Sequence, residues 1–141
     1  MPVVSISAEL AAAPERVWAL VSDLSRYDEW NTDHAGFPDG IPELAPGATY
    51  REDLRILGTP GQVTWTVTEV DAPNRLTLDG AGPMGVTLGQ VLSLSASGDG
   101  TTVTLKASFD GGPVAGPMGM AIACAGEKAA AESLRKLGTL V

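Results

Sequence analysis

Polar and apolar residues alternate at the start of the chain. Val4, Ile6 and Ala8 fall between Val3, Ser5 and Ser7, and this period of two predicts a strand from about Val3 to Leu10. The period then lengthens. Val17, Leu20, Val21 and Leu24 recur at helical spacing behind Pro14 and Glu15. A proline costs nothing in a first helical turn, and a negative charge there suits the helix dipole, so a helix over 14–22 follows. Ser25 with Asp28 resembles a second N-cap, and Tyr27 and Trp30 lie three apart on one face of a short second helix. From 31 to 47 the prolines at 38, 42 and 46 and the glycines at 36, 40 and 47 break any pattern. A loop of this length in a small domain is often functional, for example as a lid.

Strand patterning resumes in five runs, roughly 48–57, 62–71, 75–81, 86–97 and 101–110. Turn residues separate them: Pro60, Pro73, the string Gly82-Pro83-Met84-Gly85, and the hairpin signal Gly98-Asp99-Gly100. Connections this short imply an antiparallel meander. The last segment, about 113–140, reads as a helix, with good helix formers dominating from Glu127 onward. Met118, Ile122, Ala125, Ala129, Ser133 and Leu137 trace one of its faces. That face is made of small residues in its first half, so either a neighbour packs very close or a space is left open. Gly-Pro-Met-Gly occurs twice, at 82–85 and 116–119. Turn chemistry explains the repeat, unless both strings line one mouth of a cavity with flexible methionines.

Composition narrows the function classes. A chain of 141 residues with 44% hydrophobic content predicts a single domain, 1–141, with a real core. The net charge of −8, with no basic run, argues against nucleic acid and anionic membrane surfaces as partners. The single cysteine, Cys124, excludes an intramolecular disulfide and a cysteine-rich metal site. It reads as a small buried core residue in a chain suited to the cytoplasm. No signal peptide or confident membrane span is visible.

The order of strand, two short helices, five or six antiparallel strands and a long C-terminal helix is an α+β helix-grip arrangement. In three segments the chain resembles the START-like SRPBCC superfamily, and within it the polyketide cyclase/dehydrase-like group. AAAPERVWALVSDLSRYDEW (11–30) resembles the group's opening motif, GQVTWTVTEVDAPNRLTL (61–78) its central hairpin, and GDGTTVTLKASFD (98–110) its closing strand. The resemblance implies a curved antiparallel sheet of about six strands wrapped around the C-terminal helix, enclosing a hydrophobic small molecule. It does not fix an activity, because the superfamily spans cyclases, carriers, receptors and oxygenase domains. The iron-dependent oxygenase branch requires two histidines, and this chain has only His34. No dinucleotide fingerprint, P-loop, serine elbow or metal-ligand spacing appears, so no metal or cofactor is expected.

Strand alternation supplies the candidate wall of the cavity. Tyr50, Glu52, Leu54 and Ile56 share the apolar face of one strand. Val63, Trp65 and Val67 share that of the next. Leu76 and Leu78, then Leu88, Gln90, Leu92 and Leu94, then Val103, Leu105, Ala107 and Phe109 complete the inward set. The candidate ligand-binding residues are Trp30, Leu54, Trp65, Leu78, Leu88, Gln90, Leu92, Phe109, Met118 and Ile122. The candidate catalytic residues are Glu52, Tyr50 and His34.

An inward Glu52 must be paired or must take up a proton, and in the second state it would serve a cyclisation or dehydration as general acid or base. The competing orientation has a bulge turning Glu52 outward to pair with a neighbouring arginine. Gln90 either satisfies a backbone group or orients a ligand carbonyl. His34 is either solvated in its loop or oriented as a base by Asp33. Three functions compete: a cofactor-independent polyketide cyclase-like enzyme, a non-catalytic carrier of a hydrophobic metabolite, and an interaction domain with a vestigial cavity, monomeric or homodimeric. A cavity below roughly 300 Å3 favours the third.

Overall fold

The computed structural model describes residues 3–56, 59–112 and 116–141, without the side chains of Ile56 and Met118. Seven strands form one antiparallel sheet in the order β1-β7-β6-β5-β4-β3-β2. The strands are β1 (Val3–Leu10), β2 (His34–Gly36), β3 (Thr49–Ile56), β4 (Thr59–Asp71), β5 (Arg75–Ala81), β6 (Thr87–Ser97) and β7 (Gly100–Asp110). From β2 to β7 each strand pairs with the next, which is the meander the short turns imply. β1 returns to pair with β7, so β1 and β2, neighbours in sequence, form opposite edges of the sheet.

Helix α1 (Pro14–Val21) and a 3-10 helix (Leu24–Glu29) span the gap between those edges. Val17, Leu20 and Val21 on α1 are buried as their spacing predicts. A buried hydrogen bond of 2.6 Å from Thr101 Oγ1 to the Ala12 carbonyl fixes the chain entering α1 against β7. The cap of the 3-10 helix differs from expectation. Asp23, not Ser25, is the capping residue, its Oδ1 accepting the Ser25 backbone N–H at 3.1 Å.

Two further differences concern the region expected to be loop. Residues 34–36 add a seventh strand, pairing antiparallel with β3. Arg51, on the outer face of β3, then holds Asp39 through its Nε at 2.7 Å, so part of the remaining loop is tied back to the sheet.

Helix α2 (Met118–Thr139) packs chiefly against β1 and also reaches β7 and β3. Leu134 and Leu137 enter the core fully, beneath the curved sheet. Toward its N-terminal half, Gly126 faces the Phe109 ring, which a Cβ there would meet in ordinary contact at 3.5 Å. The result is the α+β helix-grip architecture, with one strand more than expected. Among the described residues no helix is long and apolar enough to cross a membrane.

Candidate functional site

Glu52 faces inward and is 5% exposed. Register explains why. The β3–β4 ladder runs unbroken from the Thr49↔Thr66 pair onward, placing Glu52 opposite Val63 and Tyr50 opposite Trp65. Bulges do occur, but between His34 and Gly36 on β2 and between Val67 and Glu69 on β4. Neither rotates Glu52. It therefore shares a face with Trp65 on one neighbouring strand and with His34, which lies opposite Leu54, on the other.

Both carboxylate oxygens are engaged. The indole N–H of Trp65 donates to Oε1 at 2.9 Å, and His34 Nδ1 lies 2.6 Å from Oε2. A carboxylate can only accept, so the shared proton is assigned to Nδ1. That assignment leaves His34 Nε2 with a lone pair and, among the described residues, no hydrogen-bond partner. The imidazole is not solvated; its side chain is 5% exposed. It sits between Tyr27, edge-on with centroids 5.2 Å apart, and Phe37, at 4.5 Å. Glu52, not Asp33, orients it.

The neighbouring acids respond to this buried charge. Burial first, and the Glu52 charge second, push the phenols of Tyr27 and Tyr50 above their ordinary value. The same two causes raise the Asp33 carboxyl.

A cavity of about 120 Å3 lies between this cluster and α2. Glu52, Leu54 and Trp65 form its wall on β3 and β4, and Leu88, Gln90 and Phe109 continue it on β6 and β7. Ile122, Ala125, Gly126 and Ala129 supply the opposite side from α2, and Trp30, Asp33 and His34 close one end. Of the two outcomes expected of the small residues of α2, the open space is the one found. Thr32 ties the closing segment to α2, its N–H donating to Ser133 Oγ at 3.0 Å and its hydroxyl to the Ala129 carbonyl at 3.1 Å.

Of the expected site residues, Trp30, His34, Glu52, Leu54, Trp65, Leu88, Gln90, Phe109 and Ile122 converge on this space. Tyr50, Leu78 and Leu92 do not line it. Tyr50 stands behind the wall against Phe37, at 5.8 Å, while Leu78 and Leu92 are buried in the core proper. The Met118 side chain lies outside the described residues. Met84, of the other Gly-Pro-Met-Gly string, is exposed and does not line the cavity. Cys124 is exposed, not buried. Tyr27, Phe37 and the Thr32–Ser133 tie went unrecognised in the sequence, although Tyr27 carried a signal in its spacing from Trp30. Among the described residues no three His, Cys, Asp or Glu side chains converge as metal ligands.

The family model described as polyketide cyclase / dehydrase and lipid transport matches residues 1–141. Toxin Rv0910 of Mycobacterium tuberculosis is 30% identical over 141 residues, covering 99% of this chain and 98% of its own length. Among solved structures, a START superfamily protein from Mycobacterium smegmatis superposes with a TM-score of 0.76 at 24% identity, over 100% of both chains. TTHA0849 from Thermus thermophilus gives 0.78 at 18% identity, over 98% of this chain and 95% of its own. At such identities the two structural likenesses speak for the fold.

Proposed function

The chain belongs to the polyketide cyclase / dehydrase and lipid transport family, and from that premise we propose that it binds a compact, largely apolar molecule in its cavity and moves a proton on it through His34. The family and the fold together support hydrophobic ligand binding. The acid/base step rests on one observation, the 2.6 Å contact between His34 Nδ1 and Glu52 Oε2 at the cavity wall.

In this reading Glu52 is a positioning residue. Its oxygens are occupied by Trp65 and His34, so it fixes the imidazole's tautomer and steadies the imidazolium that forms when Nε2 accepts a proton. The surrounding rings exclude water and hold the imidazole in place.

The small volume weighs toward the interaction-domain reading, since ligand sites usually exceed roughly 300 Å3. The polar construction weighs against it. A vestigial cavity has no need of a buried carboxylate held by two donors, because burying that charge costs several kcal/mol before its partners offset it. A cavity of about 150 Å3 in another protein holds benzene, so one of this size suits a small ligand.

The test begins with native mass spectrometry of freshly purified protein. A co-purified apolar compound is expected. Incubated with that compound in D2O, the wild type is expected to exchange deuterium into it, while His34→Gln binds it without exchange. Binding without exchange by both proteins would identify a carrier instead.

A further inference from the structure

One polar side chain interrupts the apolar wall that β5, β6 and β7 turn toward the cavity. Gln90 sits in β6, paired with Leu78 on β5 and Ala107 on β7. Its neighbours on the same face are those two residues and, along its own strand, Leu88 and Leu92, and all four are apolar. With a strand paired on each flank, a side chain on this face can extend only into the space beneath the sheet, and Gln90 lines the cavity there. It is half-buried. Of the two glutamines in the chain, Gln62 bonds its amide to Asp53 at 2.9 Å on the exposed face, whereas the Gln90 amide has no hydrogen-bond partner among the described residues. Unlike the Trp30 indole nitrogen, its oxygen and nitrogen are not sealed from water.

Water alone would serve this amide poorly. A well-held internal water needs about two to four polar partners, and the side chains flanking Gln90 supply none. Replacing such a loosely held water with a ligand group that meets the amide is favourable. Charge limits what that group is. The carboxamide is neutral, the wall carries the carboxyl groups of Asp33 and Glu52, and among the described residues no lysine or arginine lines the cavity. An anion would lose its hydration with no cation to offset the loss. A cation would be drawn to Asp33, beside His34, and would leave the Gln90 amide unmet. A space of about 120 Å3 further limits the ligand to one ring.

Resting on the ligand-binding reading above, we propose that Gln90 anchors the ligand: the cavity selects an uncharged single-ring compound whose polar group, an amide, lactam or hydroxyl, both accepts and donates a hydrogen bond and pairs with the Gln90 carboxamide. Nε2–H donates to the ligand oxygen, and Oε1 accepts from its N–H or O–H. Leu88 and Phe109 flank the ring. Gln90 lies on β6, three strands along the sheet from Glu52 on β3, so the anchored ring turns its other side toward His34. Gln90 thereby sets which part of the ligand is presented to the imidazole.

Three probes with the same number of non-hydrogen atoms test the selection: benzamide, benzoate and cumene, each titrated by NMR at pH 7 into the full chain labelled with 15N. Benzamide is expected to bind at least about 10-fold more tightly than benzoate, which buries a charge without a partner. It is expected to shift the side-chain NH2 signals of Gln90 and to leave those of Gln62 in place. Gln90→Met keeps the length of the side chain and removes the amide. It is expected to weaken benzamide about 10-fold, as for two modest hydrogen bonds, and to leave cumene within about 2-fold. Equal or tighter binding of benzoate overturns the selection, and benzamide bound with unmoved Gln90 signals overturns the anchoring; neither result needs a variant to fold. An equal loss for benzamide and cumene in Gln90→Met also overturns the anchoring. If neither benzamide nor cumene binds while a co-purified compound does, this inference alone falls. If the protein holds no compound of any kind, the ligand-binding reading falls with it.

Discussion

Glu52 and Trp65 are bonded diagonally across two strands, not directly opposite one another. Trp65 faces Tyr50 and Glu52 faces Val63, yet the indole N–H reaches back to Oε1 at 2.9 Å. The indole lies over Gly80 on β5, where a Cβ would come within 2.8 Å of the ring. Gly80→Ala should therefore push Trp65 away from Glu52. Overpacking of this kind costs about 1–3 kcal/mol, to be measured by urea unfolding. A displaced indole N–H signal in the 1H–15N spectrum should accompany the loss; an unmoved signal would show that the ring does not depend on this glycine.

Replacing Glu52 separates charge from shape. Glu52→Gln can accept from Trp65 through its amide oxygen, but its NH2 group then faces His34. The imidazole must turn acceptor at Nδ1 and carry its proton on Nε2, the wrong tautomer for a base. The expected cost in stability is about 1–2 kcal/mol, with nitrogen-detected NMR of His34 reporting the switch. Glu52→Ala strands two buried donors and should cost about 3 kcal/mol or more. A His34 spectrum that is the same in wild type and Glu52→Gln would refute the orienting role.

Ser133 joins helix to closing segment. Ser133→Ala removes the acceptor of the Thr32 N–H and the hydroxyl contact at 3.2 Å. A loss of about 1–2 kcal/mol is expected, and the Thr32 amide should exchange with solvent faster than the amides of β3. Uniform exchange in the variant would mean that the tie does not hold this segment in particular.

The two tyrosines of the chain are Tyr27 and Tyr50, and both have phenols pushed up by burial and by the Glu52 charge. In the unfolded chain phenols ionise near pH ~10, so the native state holds more protons above that pH. Stability due to these groups is then complete below pH ~10 and falls as the pH rises through the native values. At pH ~11 the native protein should show less tyrosinate absorbance than the protein in guanidinium, where roughly 90% of the phenols should be ionised. A native titration curve overlying the unfolded one would contradict the burial of both rings.

Much of this arrangement was legible in the sequence, and the misses have physical causes. The period-two pattern placed Glu52, Trp65, Leu88 and Phe109 on one face because the strands that carry them are long. β2 was hidden because three residues cannot display a period, and its bulge disturbs what little pattern exists. His34 consequently read as a loop residue, and its bond to Glu52 depends on a strand that the proline- and glycine-rich stretch conceals. Cys124 was misplaced for a different reason. Residue type suggested burial, but helical spacing from Ile122 and Ala125 turns it outward, and the spacing prevailed. Tyr50 shows the limit of alternation, which fixes the face of a side chain but not whether it borders the empty part of the core.

The division of the cavity between strands and helix has a consequence for how such a protein diversifies. His34, Glu52 and Trp65, which form the hydrogen-bonded cluster, come from β2, β3 and β4. The room beside them is set by Ala125, Gly126 and Ala129 on α2. A methyl gained or lost on that helix would resize the chamber without touching a hydrogen bond of the cluster. Changes at His34, Glu52 or Trp65 would act on both at once, because those side chains also line the chamber. The helix can therefore alter what fits, one substitution at a time, while the cluster beside it stays as it is.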